Sequence, residues 1–212
     1  MVLRGRLRGR VGRRRDIFEA GSQEPASAFP SAGMLARVTP SAIPRRLADA
    51  IAHSARPGKG DEARKAAEQL VQARDAGDAS KARKAAIKAK LVAPRSAWVR
   101  EQLGLLAFEL DELHEAVQEL LTYRRLSGDH RHDPIIAESY RRQGKPARAL
   151  DLIGEIRRED VPGRVWIDAQ IARARALADT QRTDAALILL KEAARDATGT
   201  DRVRVLEAMR DL

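Results

Sequence analysis

From about residue 61 onward, apolar side chains recur at three- and four-residue intervals within segments of 12–15 residues. That spacing places them on one face of an α-helix. The segments come in pairs around short turns, and four turns share one signature. A turn residue is followed, five positions on, by an alanine inside the next helix: Gly77 with Ala82, Asp111 with Ala116, Gly144 with Ala149, Gln181 with Ala186. The alanine-to-alanine spacings are 34, 33 and 37. The pattern predicts a unit of two helices and a turn, repeated four times.

The second unit shows the packing logic best. It reads "AWVREQLGLLAFELDELHEAVQELLTYRRL". Gly104, beside Leu103, lacks a Cβ and lets the two helix backbones meet. Ala107 follows one turn later, and Ala116, Leu120 and Tyr123 answer from the second helix. The first unit offers Gly77, Ala82, Ala86 and Ala89 and ends at Pro94, which cannot continue a helix. The third offers Ala137, Tyr140, Gly144, Ala149, Ile153 and Ile156, with Asp133-Pro134 expected as N-cap and first-turn pair. The fourth offers Ala174, Leu177, Ala186, Leu190 and Ala193.

A period near 34 with two helices per unit resembles a bacterial member of the tetratricopeptide repeat family, over residues 61–197. The resemblance implies an all-α fold: a right-handed superhelix, or α-solenoid, of helix hairpins, in which each hairpin is covered by its neighbours. It departs from the family at Leu70, where glycine is usual. Trp98 sits two residues early, Pro146 replaces an aromatic, and Gln181 replaces glycine. The resemblance also implies a concave groove lined by the first helix of each unit. Carried onto this chain, the groove positions are Arg64, Val71 and Arg74, then Trp98, Glu101, Leu105 and Phe108. They continue with Glu138, Arg141 and Arg142, then Asp168, Ile171 and Arg175. Trp98, Leu105 and Phe108 are expected as an exposed apolar patch of the kind that marks interaction sites. Binding of chaperone tails by a carboxylate clamp is excluded, since the family's clamp uses asparagine and this chain has none.

Composition agrees with helix. Apolar residues make up 43% of the 212 and aromatics only 3%, so the β-branched and aromatic residues that fill pleated surfaces are scarce. There is no cysteine, hence no disulfide framework or thiol chemistry. The net charge of +10 is uneven: residues 1–60 carry twelve Lys/Arg against four Asp/Glu, residues 61–212 twenty-eight against twenty-six. Arginine outnumbers lysine 32 to 8, which reads as GC-rich coding bias.

The flanks divide accordingly. Residues 1–43 read as a disordered Arg/Pro/Ser-rich tail, or an over-extended start with initiation near Met34, opening on seven arginines in fifteen residues. Arg14 and Arg15 resemble a twin-arginine export signal, but Glu19, Gln23, Glu24 and Pro25 interrupt the apolar stretch export needs. Residues 44–60 read as a leading helix and linker, with Leu47, Ala50, Ile51 and Ser54 on one stripe. Residues 198–212 read as a closing helix, or the start of a truncated fifth repeat, with Val203, Leu206 and Met209 on one face.

No phosphate loop or nucleophile elbow is present. His130, His132 and Asp133 cluster as "HRHD", but no further ligand completes a metal site, and the histidines read as solvated. The expectation is a non-enzymatic, cytoplasmic adaptor without cofactor, binding a protein or peptide rather than a membrane. The alternative is an RNA- or ribosome-associated factor using the arginine tail and the basic helix around Lys81, Arg83, Lys84, Lys88 and Lys90.

Overall fold

The computed structural model describes residues 43–212. Among them the chain is all-α, with ten α-helices, one 3-10 turn at Arg158–Asp160 and no strand. In order they are α1 (Arg45–His53), α2 (Gly60–Asp75), α3 (Ala79–Val92), α4 (Ala97–Glu109), α5 (Leu113–Ser127), α6 (Asp133–Arg142), α7 (Pro146–Gly154), α8 (Gly163–Asp179), α9 (Thr183–Asp196) and α10 (Gly199–Arg210). The tail expected over residues 1–43 lies outside the described residues apart from Ile43, which packs against the first core cluster.

The four turns are geometric copies of one another. Gly77, Asp111, Gly144 and Gln181 have φ of 69°, 62°, 72° and 61°, all left-handed. In each, the next residue's N–H donates to the carbonyl five positions back: Asp78 to Ala73 (2.9 Å), Glu112 to Ala107 (2.8 Å), Lys145 to Tyr140 (2.9 Å) and Arg182 to Leu177 (2.9 Å). The turn residue's own N–H reaches the carbonyl three back. These two bonds form the Schellman motif, which satisfies the last carbonyls of a helix and turns the chain sharply. The second helix of each pair then brings Ala82, Ala116, Ala149 or Ala186 to full burial. Alanine there lets the hairpin close tightly. Gly104 does the same from the first helix, since a Cβ on it would lie 2.7 Å from Leu120 Cγ.

The core is strung out along the chain. One cluster draws on α1 to α4, including Ile51, Leu70, Ala86, Leu103 and Leu106. A second draws on α4 to α8, including Leu120, Ile136, Ala149 and Ala172. A third draws on α8 to α10, including Ile171, Leu190 and Val205. The substantial helix contacts join each helix to the next, α6 to α8, and α8 to α10.

Several local expectations are corrected. Asp133 is the first residue of α6 rather than its cap, and makes no capping bond. The third hairpin is short, with ten and nine residues in α6 and α7. Tyr140 is only partly buried. On α1 the stripe is narrower than expected, for Ala50 is exposed while Ile51 is buried and Leu47 packs beside it. In α10, Val203 and Leu206 stay 46% and 49% exposed, while Arg204, Val205 and Ala208 face inward and only Met209 packs from the expected set. The helix is rotated because the Arg204 guanidinium reaches the Asp168 and Asp201 carboxylates, an attachment that apolar periodicity does not register.

Candidate functional site

The first helices of the four hairpins carry the positions expected to line a groove, and most are covered. Trp98, Leu105 and Phe108 are 7%, 7% and 8% exposed, so the expected apolar patch is absent. The cause is that α4 is covered from two sides. Trp98, Val99, Leu103 and Leu106 serve the first cluster, while Leu105, Ala107 and Phe108 serve the second. Arg142 closes over the ring of Phe108, its guanidinium carbon 5.4 Å from the centroid. Val71 and Ile171 are likewise buried.

The charged positions are brought together in pairs that link one unit to the next. Arg74 holds Glu109 at 2.8 Å, both side chains buried. Burial pushes the Glu109 carboxyl above the ordinary range, ahead of the opposing pull of Arg74. Glu101 meets His132 Nε2 at 2.7 Å. Arg141 donates through two nitrogens to Glu138, both at 2.9 Å, and reaches Asp179 at 3.0 Å. These contacts hold the Arg141 guanidinium more firmly protonated than usual, the Glu138 bonds contributing most. Arg142 reaches Asp111 at 2.5 Å, and Asp168 bonds Arg204. Burial raises the Asp168 carboxyl, with Arg204 opposing. The pairs that span units are separated by 31 to 38 residues, about one repeat. Arg64 is more open, bonded to Asp49 and Asp61. Arg175 is partly buried, and that burial lowers its pKa first of all.

A second row of cross-unit pairs runs along the other helices and takes in Arg83 and Lys90 of the basic helix named for the nucleic-acid alternative. Arg83 reaches Glu112 (2.5 Å) and Glu115 (2.6 Å). Glu119 takes Lys90 (2.5 Å) from the preceding unit and Arg100 (2.7 Å) from its own hairpin. Arg124 reaches Glu155 at 2.6 Å. Opposite charges about one period apart were the available signal, and only a search at that spacing finds them.

The "HRHD" histidines are not solvated as expected. His130 Nδ1 lies 2.8 Å from Asp133, whose carboxylate is 1% exposed, and Arg124 approaches the same group at 3.6 Å. Burial raises the Asp133 carboxyl. His132 leans on the Tyr123 ring, centroids 5.3 Å apart, while the Tyr123 hydroxyl meets Asp129 at 3.1 Å. These groups tie α4, α5 and α6 at one corner. His53 and His114 are exposed.

Among the described residues no three His, Asp or Glu side chains converge as metal ligands. No helix there is long and apolar enough to cross a membrane. No family model, no curated protein and no solved structure matches the chain.

Proposed function

We propose that the chain is a tetratricopeptide-like α-solenoid acting as a non-enzymatic, cytoplasmic scaffold that binds a protein or peptide partner. The observation that carries this reading is the equivalence of the four turns and buried alanines, which repeats one hairpin along the chain at a period near 34. The order of the helix contacts supports it, because each hairpin leans on its neighbours. On this reading the cross-unit ion pairs fix the register of the stack. Exposed pairs add little stability, whereas a pair at one-period spacing fits only one stacking arrangement. The accessible part of the expected groove is then its arginine-bearing rim, Arg64, Arg141, Arg142 and Arg175, and not the buried Trp98, Leu105 and Phe108.

Affinity capture of the full chain from its own cells tests the proposal, with bound protein and bound RNA both quantified. A partner protein recovered near one-to-one, and retained after nuclease treatment, is the expected result. RNA retained after protease and released steeply by salt establishes the nucleic-acid alternative instead. Recovery of neither removes the scaffold reading.

A further inference from the structure

Charge in the helical body is concentrated on its first hairpin. Residues 61–92 carry eight Lys/Arg against five Asp/Glu, and residues 93–212 carry twenty against twenty-one. Six of the eight lysines fall within residues 59–90, in a chain that otherwise uses arginine. The structure divides these cations by face. Arg83 and Lys90, on the side of α3 facing α5, are neutralised by Glu112, Glu115 and Glu119. Lys81, Lys84 and Lys88 project elsewhere, into a surface groove of about 480 Å³ between α2 and α3.

The groove has a defined chemistry. Lys81, Lys84 and Lys88 form one rim as a row about 10 Å long, from a helical rise of about 1.5 Å per residue. Gln69 and Gln72 form the other rim, and Ala73, Ala76 and Ala85 the floor. Small floor residues leave room for a chain to lie close to the hairpin backbone. The one carboxylate in the lining, Asp78, is engaged as the N-cap of α3 by the Lys81 N–H and by the Lys81 ammonium at 2.9 Å. Glu62, whose field reaches Lys88, is held by Lys59 at 2.8 Å. Lys84 and Lys88 are exposed and form no ion pair with the described residues.

We infer that this groove docks an acidic peptide segment of a partner protein, with carboxylates set against Lys84 and Lys88, beside the Lys81–Asp78 pair. The inference rests on the scaffold reading and names the surface and partner chemistry for it. Charge complementarity selects the occupant. Residues 1–42 of the same chain carry eight arginines and three acidic residues, the wrong sign for a lysine row. No aromatic side chain lines the groove, so single-stranded nucleic acid finds no stacking platform there. The glutamine amides face the lysines across the groove and suit the backbone groups of an extended or helical segment.

The test is an amide-resolved NMR titration of the full chain with an acetylated ten-residue peptide of glutamate, alanine and leucine. A ten-residue oligouridylate and a lysine version of the peptide are titrated in parallel. Shifts centred on Ala73, Ala76 and Ala85, with at least tenfold weaker binding at those amides in Lys84→Gln/Lys88→Gln, are expected. Both lysines are exposed, so the variant keeps the wild-type spectrum elsewhere. Arg125→Gln, outside the groove, should leave the affinity within twofold. Shifts confined to the arginine-rich residues 4–15 overturn the inference. So does oligouridylate that binds the groove more tightly than the acidic peptide. Undiminished recovery of a cellular partner by Lys84→Gln/Lys88→Gln removes this groove while leaving the scaffold reading intact. Failure of wild type to recover any partner removes the scaffold reading itself.

Discussion

Replacing Gly104 by alanine tests how closely α4 and α5 approach. In a solvated helix this change stabilises by about 1 kcal/mol through propensity alone. Here the added Cβ would sit 2.7 Å from Leu120 Cγ, 2.8 Å from Cδ2 and 3.1 Å from the Leu120 backbone nitrogen. Ordinary carbon contacts lie at about 3.5–4.0 Å, so the helices must part by close to an ångström or Leu120 must leave its rotamer. Leu120 is fully buried, and the nearby backbone nitrogen cannot be moved by a side-chain rotation. Overpacking of this kind costs about 1–3 kcal/mol beyond any propensity gain. A net loss of about 1–2 kcal/mol is expected, read as a fall in Tm of about 2–8 °C at this chain length. Urea denaturation followed by circular dichroism gives the free energy. Gly154→Ala is the matched control, because nothing lies within 4 Å of its added Cβ, and it should be neutral or stabilising. In the Gly104→Ala background, Leu120→Ala should cost less than the 2–5 kcal/mol expected for it alone. A Gly104→Ala protein as stable as wild type, with additive effects in the double variant, refutes the close-approach argument.

The other predictions concern the turns, the buried pair and the acid corner. Gln181→Gly should stabilise by about 0.5–1 kcal/mol by relieving a left-handed non-glycine residue, measured by chemical denaturation; Asp111→Gly should gain less, since it forfeits the Arg142 pair. Asp168→Ala should destabilise by about 1–3 kcal/mol, because the buried Arg204 loses its cross-helix carboxylate and keeps Asp201 within its own helix, whereas Asp168→Leu/Arg204→Met should fall within about 1 kcal/mol of wild type. Burial holds the Asp133 carboxyl above its ordinary pKa, so in the folded state it keeps its proton to higher pH than in the unfolded state. Stability from this group therefore declines as pH rises from about 4 through the raised value; Asp133→Asn should flatten that decline in urea midpoints taken across the window, and an unchanged slope contradicts the assignment.

How much of this was legible in the sequence depended on the range of the interaction. The turn positions were readable because a left-handed cap and a buried alanine five residues later are local requirements, met at Gly77/Ala82 and its three counterparts. Gly104 was readable for the same reason. The burial of Trp98, Leu105 and Phe108 was not, because it depends on neighbours covering α4 from two sides. The orientation of α10 was also hidden, since Arg204 finds Asp168 36 residues away and that pairing outweighs the exposed Val203 and Leu206. The histidines misled because their partners, Glu101 and a buried Asp133, sit on packed helices rather than in the loop that carries them.

The central claim is that hairpins lean on one another in a line, without a shared interior. Hydrogen exchange on the full chain carrying Leu190→Ala tests it directly. Leu190 is fully buried in the third cluster, and its loss should cost about 2–5 kcal/mol there. The account predicts faster exchange in α8, α9 and α10, fading through α6 and α7, with α2, α3 and α4 protected as in wild type. An equal loss of protection in all ten helices would mean that they share one cooperative core, and would contradict the linear stack.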